Sequence, residues 1–144
     1  MSNRHEHIAE GGADDSRRLI HFIGAGTQLP ASASPAALGF KAWNLARMAA
    51  LGLPVPPAFV IGTGWCEQTE LDPLLWRSPL QELERFTALG LGDKRHPLLL
   101  SVRSGAAVSM PGMMETLLNI GLTDVTLAGM VRLTGHPRLA WDAY

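Results

Sequence analysis

The sequence of 144 residues lacks several features that mark particular classes of protein. Its only cysteine is Cys66, so an internal disulfide is excluded, and we expect a reducing compartment and a plain buried thiol rather than a nucleophile. No apolar stretch approaches the ~20 residues of a membrane-spanning helix. The first residues also lack the apolar core of a secretory signal peptide. These absences predict a cytoplasmic protein that does not enter a membrane.

The chain also lacks an excess of charge of either sign. It carries 12 Lys and Arg residues against 13 Asp and Glu residues, for a net charge of −1. A nucleic-acid-binding domain would show a basic stripe, and none is visible, so we expect no nucleic-acid partner. Hydrophobic residues make up 47% of the chain, which is enough for one globular domain with its own core.

Residues 1–18 differ in composition from the remainder. They mix charges with glycine and contain one isoleucine and no aromatic residue. Such a segment buries too little apolar surface to fold, so a disordered tail is predicted. His5 and His7 stand two residues apart and could bind a metal ion, but a solvated tail is the simpler interpretation. We predict no metal site in the chain.

From residue 19 onward, short apolar runs alternate with helical patterns, which is typical of an α/β or α+β fold. A connector rich in Ala, Ser and Pro is expected over Thr27–Ala37. Strands are predicted at Leu19–Ile23, Ala58–Ile61, Leu98–Val102 and Thr116–Ile120. Helices are predicted over Phe40–Leu51, from near Thr63, from Ser78 with Pro79 and Gln81 as its start, from Thr123 or Asp124 to Thr134, and from Pro137.

The last predicted helix carries Leu139, Trp141 and Tyr144 near the end of the sequence. These apolar side chains require a surface to cover them. Three alternatives are open: the helix folds back on the domain, the architecture was once longer, or a second chain covers it. Self-association is therefore possible.

The segment Leu98–Leu122 indicates a binding site. An apolar strand leads to Arg103, which opens a loop of Ser, Gly, Ala and Met residues before a second apolar strand. A cation at the mouth of a glycine-containing loop suits an anion, and a nucleoside triphosphate is the obvious candidate. An ion pair between Arg103 and Glu115 would satisfy the same charge. The sequence contains no Walker A motif, G-x-x-x-x-G-K-[ST].

Two motifs together resemble the N-terminal nucleotide-binding region of the pyruvate, phosphate dikinase family, shared in outline with phosphoenolpyruvate synthase. Residues 39–57, GFKAWNLARMAALGLPVPP, are similar to the family's GGKGANLAEM followed by GLPVPPGF. Residues 101–122, SVRSGAAVSMPGMMETLLNIGL, resemble the dikinase pattern almost without a break. The resemblance covers residues 19–144, and the dikinase likeness is the closer of the two.

The resemblance implies a partial ATP-grasp-like domain, with a mixed sheet and flanking helices, incomplete at its C-terminus. In the family this region uses ATP and Mg²⁺ to phosphorylate a histidine on a separate domain, from which the phosphoryl group passes to pyruvate. Arg103 falls on the arginine that binds the transferring phosphoryl group, and is the implied catalytic residue. Lys41 falls on the lysine that contacts the ATP phosphates. The implied nucleotide-binding residues also include Ser104, Gly105, Gly112 and Met113, with Met114 beside them in the loop that closes over the phosphates.

The chain departs from the family pattern in two ways. The family's GGKG reads Gly39-Phe40-Lys41-Ala42, which removes backbone freedom beside the lysine. The family's magnesium ligands, its phosphorylated histidine and its phosphoenolpyruvate/pyruvate barrel have no counterpart among these 144 residues. We therefore expect an ATP-binding portion that is not catalytically complete alone and that works with a separately encoded remainder or is a truncated relic.

Two other functions remain open. One is a non-catalytic interaction protein that retains the fold and binds a partner through its C-terminal helix. The other is a regulatory nucleotide sensor that binds ATP without phosphoryl transfer.

Overall fold

A computed structural model describes residues 18–66, 70, 72–105 and 116–144. Its helices are α1 (Pro35–Leu38), α2 (Phe40–Ala50), α3 (Pro73–Thr87), α4 (Asp124–Thr134) and α5 (Pro137–Ala143). Its strands are β1 (Ile20–Ile23), β2 (Ala58–Ile61), β3 (Leu100–Arg103) and β4 (Thr116–Ile120), and a 3₁₀ turn covers Thr63–Trp65. The predicted disordered tail falls almost wholly outside the described residues.

Strands β1 and β2 pair antiparallel and lie between two helices. Ile23 lies opposite Ala58 in the register, and its side chain is fully buried with Ala46 and Ala49 of α2. Phe22, on the other face of the strand, meets Phe86 of α3 edge to face with ring centroids 5.4 Å apart. Because neighbouring strand residues point to opposite faces, this short apolar sheet is covered on both sides.

A short helix, α1, lies within the segment expected to be a connector. The Ser34 hydroxyl accepts a hydrogen bond from the Ala37 amide, and Pro35 occupies the first helical turn, so the local sequence begins a helix. The Thr63 hydroxyl, expected to cap a longer helix, instead donates to the Ala36 carbonyl and ties the 3₁₀ turn to α1. Cys66, expected to be buried, is exposed at the end of that turn.

Helix α3 begins earlier than the sequence predicts. Asp72 caps it by accepting a hydrogen bond from the Leu74 amide, and Pro73 stands in the first turn. Ser78 and Pro79, expected at the start of a helix, therefore lie inside α3. The prediction was wrong because two Pro-containing starts compete, and the first has an acidic cap.

Strands β3 and β4 form a second antiparallel pair with an irregularity. Leu100 lies opposite Ile120, whereas Val102 lies opposite Leu117, so β4 carries an extra residue between these pairs. Asn119 has a φ of 55° in this region and its side-chain amide donates to the Ala143 carbonyl at 2.9 Å. The bulge therefore attaches the strand pair to the end of α5.

Helix α4 has the boundaries that the sequence predicts. Thr123 and Thr126 form a reciprocal capping box, and Gly135 ends the helix with a φ of 67°. A Cβ atom on Gly129 would lie only 2.5 Å from the Lys94 carbonyl oxygen, so the segment before β3 crosses α4 in close contact. The Arg132 guanidinium donates to the same carbonyl at 2.9 Å.

Helix α5 packs back against α4, which meets the first of the three alternatives for the helix but not for its apolar side chains. Its Ala140 is fully buried, and the Tyr144 hydroxyl donates to the Asp124 carboxylate at the start of α4. That hydrogen bond lowers the pKa of Asp124 and raises the pKa of Tyr144. The apolar side chains remain uncovered, since Leu139, Trp141 and Tyr144 are 52%, 61% and 58% exposed.

The fold class is α+β, as predicted. The described strands, however, form two separate two-stranded antiparallel sheets rather than one mixed sheet. Each strand pairs with its nearest strand in sequence, and α2 and α3 already cover the first sheet. Among the helices of the described residues, none has the length and apolar character needed to cross a membrane.

Candidate phosphate-binding site

Lys41 lies in the first turn of α2, with an exposed side chain. The residue before the helix is Gly39, which provides no side-chain cap, and the first turn contains no acidic residue. The first backbone N–H groups of a helix have no partner within it and form its positive end. This end of α2 therefore combines a lysine with amide groups that suit an anion.

Arg103 is the last residue of β3 and lies opposite Thr116 of β4. Its side chain and the following Ser104 and Gly105 are exposed. Among the described residues, neither Arg103 nor Lys41 forms a salt bridge, whereas Arg138 pairs with Asp142 at 3.6 Å. Within these ranges, neither cation is neutralised by a carboxylate.

Ten residues of the second motif, 106–115, fall outside the described residues. Gly112, Met113 and Met114, implied as part of the loop over the phosphates, are among residues 106–115. Glu115, the alternative ion-pair partner of Arg103, is also among them. The loop and the ion pair therefore both remain predictions.

The two motifs meet at a pair of glycines. A Cβ atom built on Gly105 would lie 3.8 Å from the Gly39 Cα and 3.9 Å from the Leu38 carbonyl oxygen. Gly39 directly precedes α2 and stands two residues before Lys41, while Gly105 stands two residues after Arg103. The fold thus brings together two segments that are more than sixty residues apart in sequence.

Sequence reasoning missed the role of Gly39. Its φ of 80° and ψ of 151° lie in a region that essentially only glycine adopts, and the glycine two residues before the lysine was the available signal. Phe40, which follows it, is exposed, and the Arg47 guanidinium lies 5.8 Å from the centre of the half-buried Trp43 ring. These aromatic residues give the first motif a bulkier surface than its glycine-rich family pattern.

Metal ligands are sparse in this region. Across residues 18–66, 70, 72–105 and 116–144, no group of three His, Cys, Asp or Glu side chains is placed to hold a metal ion.

Comparison with known proteins identifies the relationship. The chain is 47% identical over 137 residues to pyruvate, phosphate dikinase 2 of Zea mays, an alignment that covers 90% of this chain. It is 47% identical to pyruvate, phosphate dikinase 1, chloroplastic, of Oryza sativa subsp. japonica, in an alignment that covers 89% of this chain. It is 49% identical over 74% of its length to the chloroplastic pyruvate, phosphate dikinase of Flaveria pringlei.

This chain is a relative of pyruvate, phosphate dikinase. The alignment with the Zea mays protein leaves out only a tenth of this chain. It therefore includes both motifs, whichever end of the chain is unaligned. The chain spans only 12–15% of the length of these dikinases. No family model matches it.

Proposed function

We propose that this chain is the ATP-binding portion of a pyruvate, phosphate dikinase-like phosphotransferase, with an ATP-grasp-like arrangement around its nucleotide. The observation that supports the proposal is the contact between Gly39 and Gly105, which brings the helix carrying Lys41 to the loop that follows Arg103. The similarity to dikinases over both motifs supports the choice of ATP as the ligand.

The chemistry of the two cations suits a triphosphate. Phosphoryl transfer depends mainly on positioning and on neutralising the charge of the phosphate oxygens. The Arg103 guanidinium can hold two oxygens of the transferring group at once, whereas the Lys41 ammonium acts as a mobile point charge. In this proposal the amides of Ser104 and Gly105 add backbone donors, and the loop with Gly112 and Met113 closes over the phosphates.

The remaining parts of the reaction belong to partners in this proposal. Mg²⁺ accompanies ATP, and its side-chain ligands come from the remainder of a dikinase-like enzyme, as does the histidine that accepts the phosphoryl group. The chain's small share of its relatives' length is consistent with such a division. Location in the cytoplasm stays a prediction, because several relatives are named as chloroplastic proteins.

Calorimetric titration with ATP tests the proposal. We expect weak binding by the unchanged protein. Lys41→Ala and Arg103→Ala should each weaken it roughly tenfold or more, because a hydrogen bond to a charged group is worth about 1.5–3 kcal/mol. Lys94→Ala removes the same charge from the exposed turn before β3 and serves as the matched control. Identical null isotherms for all four proteins at millimolar ATP would exclude nucleotide binding.

The exposed side chains of α5 favour a second candidate function. A fold that presents Leu139 and Trp141 to solvent could bind a partner protein without any nucleotide chemistry. Retained folding without ATP binding would support this candidate. Binding of ATP without transfer to a dikinase-type histidine domain would instead indicate a regulatory nucleotide sensor.

A further inference from the structure

The two cations of the proposed site come from different parts of the fold. Lys41 belongs to the part built from β1, β2 and helices α1–α3, whereas Arg103 belongs to the part built from β3, β4, α4 and α5. The segment between α3 and β3 joins them, with the Leu91 amide donating to the Glu84 carboxylate at 2.8 Å. The spacing between Lys41 and Arg103 therefore depends on how these two parts meet.

On the side of Lys41, the two parts meet at Gly39, whose backbone is held by two hydrogen bonds. The Gly39 amide donates to the Pro35 carbonyl and the Gly39 carbonyl accepts from the Trp43 amide, both at 2.9 Å. Gly39 is buried, and its backbone angles exclude a side chain. It therefore presents a bare Cα surface to the other part of the fold.

On the side of Arg103, Gly105 leaves room for no more than a small side chain beside Gly39. The φ of Gly105 lies outside the left-handed region, so its backbone conformation does not itself require glycine. A methyl group at this position would touch the Gly39 Cα and the Leu38 carbonyl at ordinary van der Waals distances of 3.8 and 3.9 Å. A branched side chain would add atoms beyond that methyl group and crowd the contact.

We propose that Gly39 and Gly105 form a backbone joint between the two parts of the fold, and that this joint sets the spacing between Lys41 and Arg103. Gly105 then acts as a positioning residue for Arg103, in addition to the backbone amide that it contributes in the proposed function. A side chain that pushes Gly105 away from Gly39 moves Arg103 away from Lys41 without removing either cation. The consequence for ATP rests on the proposed function, whereas the joint itself does not.

Substitutions of graded size at Gly105 test the joint. Gly105→Ala should bind ATP within about twofold of the unchanged protein, and Gly105→Val should weaken binding to the level of Arg103→Ala, at least roughly tenfold. Ser101→Val places the same side chain at an exposed position of β3, the strand before Gly105, and should bind ATP normally. Normal binding by Gly105→Val would overturn the positioning role.

A measurement without nucleotide separates the joint from the proposed function. In amide NMR spectra, Gly105→Val should shift the resonances of Gly39, Phe40 and Lys41, and Ser101→Val should leave them in place. Unchanged resonances in Gly105→Val would overturn the joint even if ATP binds. If the unchanged protein binds no ATP, the proposed function fails, and the NMR resonances alone test whether Gly39 and Gly105 form the joint. If Gly105→Val does not fold by circular dichroism, Gly105→Thr, which is also branched at Cβ, takes its place with the same expectations.

Discussion

His21 is the buried titratable side chain of the first sheet. It alternates with Phe22 along β1 and faces the same side as Ile23, where α2 packs. Burial disfavours the charged imidazolium, so the pKa of His21 is lowered from its ordinary value of 6.5. The folded protein therefore holds a neutral imidazole over a pH range in which the unfolded chain binds a proton.

This difference predicts a loss of stability in acid. Because the folded pKa lies below the unfolded one, the contribution of His21 is fully present above pH 6.5 and declines as the pH falls below it. Urea unfolding at a series of pH values from 8 to 5 measures the effect. His21→Leu should have a weaker pH dependence over this range, and equal slopes for the two proteins would contradict the prediction.

The residues of the candidate site were predictable from the sequence as residue types in motifs. Arg103 follows an apolar strand, and Lys41 stands in a motif that resembles a known one. The sequence separation of Lys41 and Arg103 did not predict that their segments lie side by side, because this depends on the approach of Gly105 to Gly39. Two backbones that approach this closely leave no sequence signal except the glycines themselves.

At the scale of elements, local sequence signals predicted the bounds of a helix where the sequence offers one start signal and one stop signal. Helix α4 lies between the capping Thr123 and Gly135, and its bounds match the prediction. Strands β2 and β4 also have their predicted bounds. The sequence of α3 contains two start signals, at Asp72 and at Ser78. The helix begins at the first and continues through the second.

Pro79 should therefore destabilise α3. A proline inside a helix removes a hydrogen bond and crowds the preceding turn, at a cost of about 3 kcal/mol, partly offset by its smaller entropy in the unfolded chain. We expect Pro79→Ala to raise the free energy of unfolding by about 1–3 kcal/mol in urea titrations. Pro73→Ala, in the first turn of the same helix, should produce no gain. A gain from Pro73→Ala as large as that from Pro79→Ala would show that α3 does not continue through Pro79.

At the scale of the whole molecule, the described part of the chain has a small core and a large apolar surface. The buried cluster around Ile23 consists otherwise of the alanines Ala46 and Ala49. The strand pair β3–β4 leaves Leu117 and Leu118 exposed, and α5 does the same with Leu139 and Trp141. Such surfaces are typical of sites that another polypeptide covers.

The isolated chain should therefore bind a hydrophobic dye and self-associate, and the low net charge of −1 provides little repulsion between copies. Replacing Leu139 and Trp141 with serine should reduce dye fluorescence and shift light scattering toward the monomer. Arg138→Ser, on the same helix, should do neither. A monodisperse monomer without dye binding would refute the prediction.

The sequence by itself determined a fold that combines helices and strands, either α/β or α+β, most of those helices and strands, and the two motifs that relate the chain to pyruvate, phosphate dikinase. These features follow from local periodicity, capping residues and residue identity, all of which are present along the chain. The tertiary structure alone decided the pairing into two separate sheets, the return of α5 onto α4 and the contact of Gly39 with Gly105. Each of these depends on packing between segments distant in sequence, where backbone approach and burial, rather than local preference, select the arrangement.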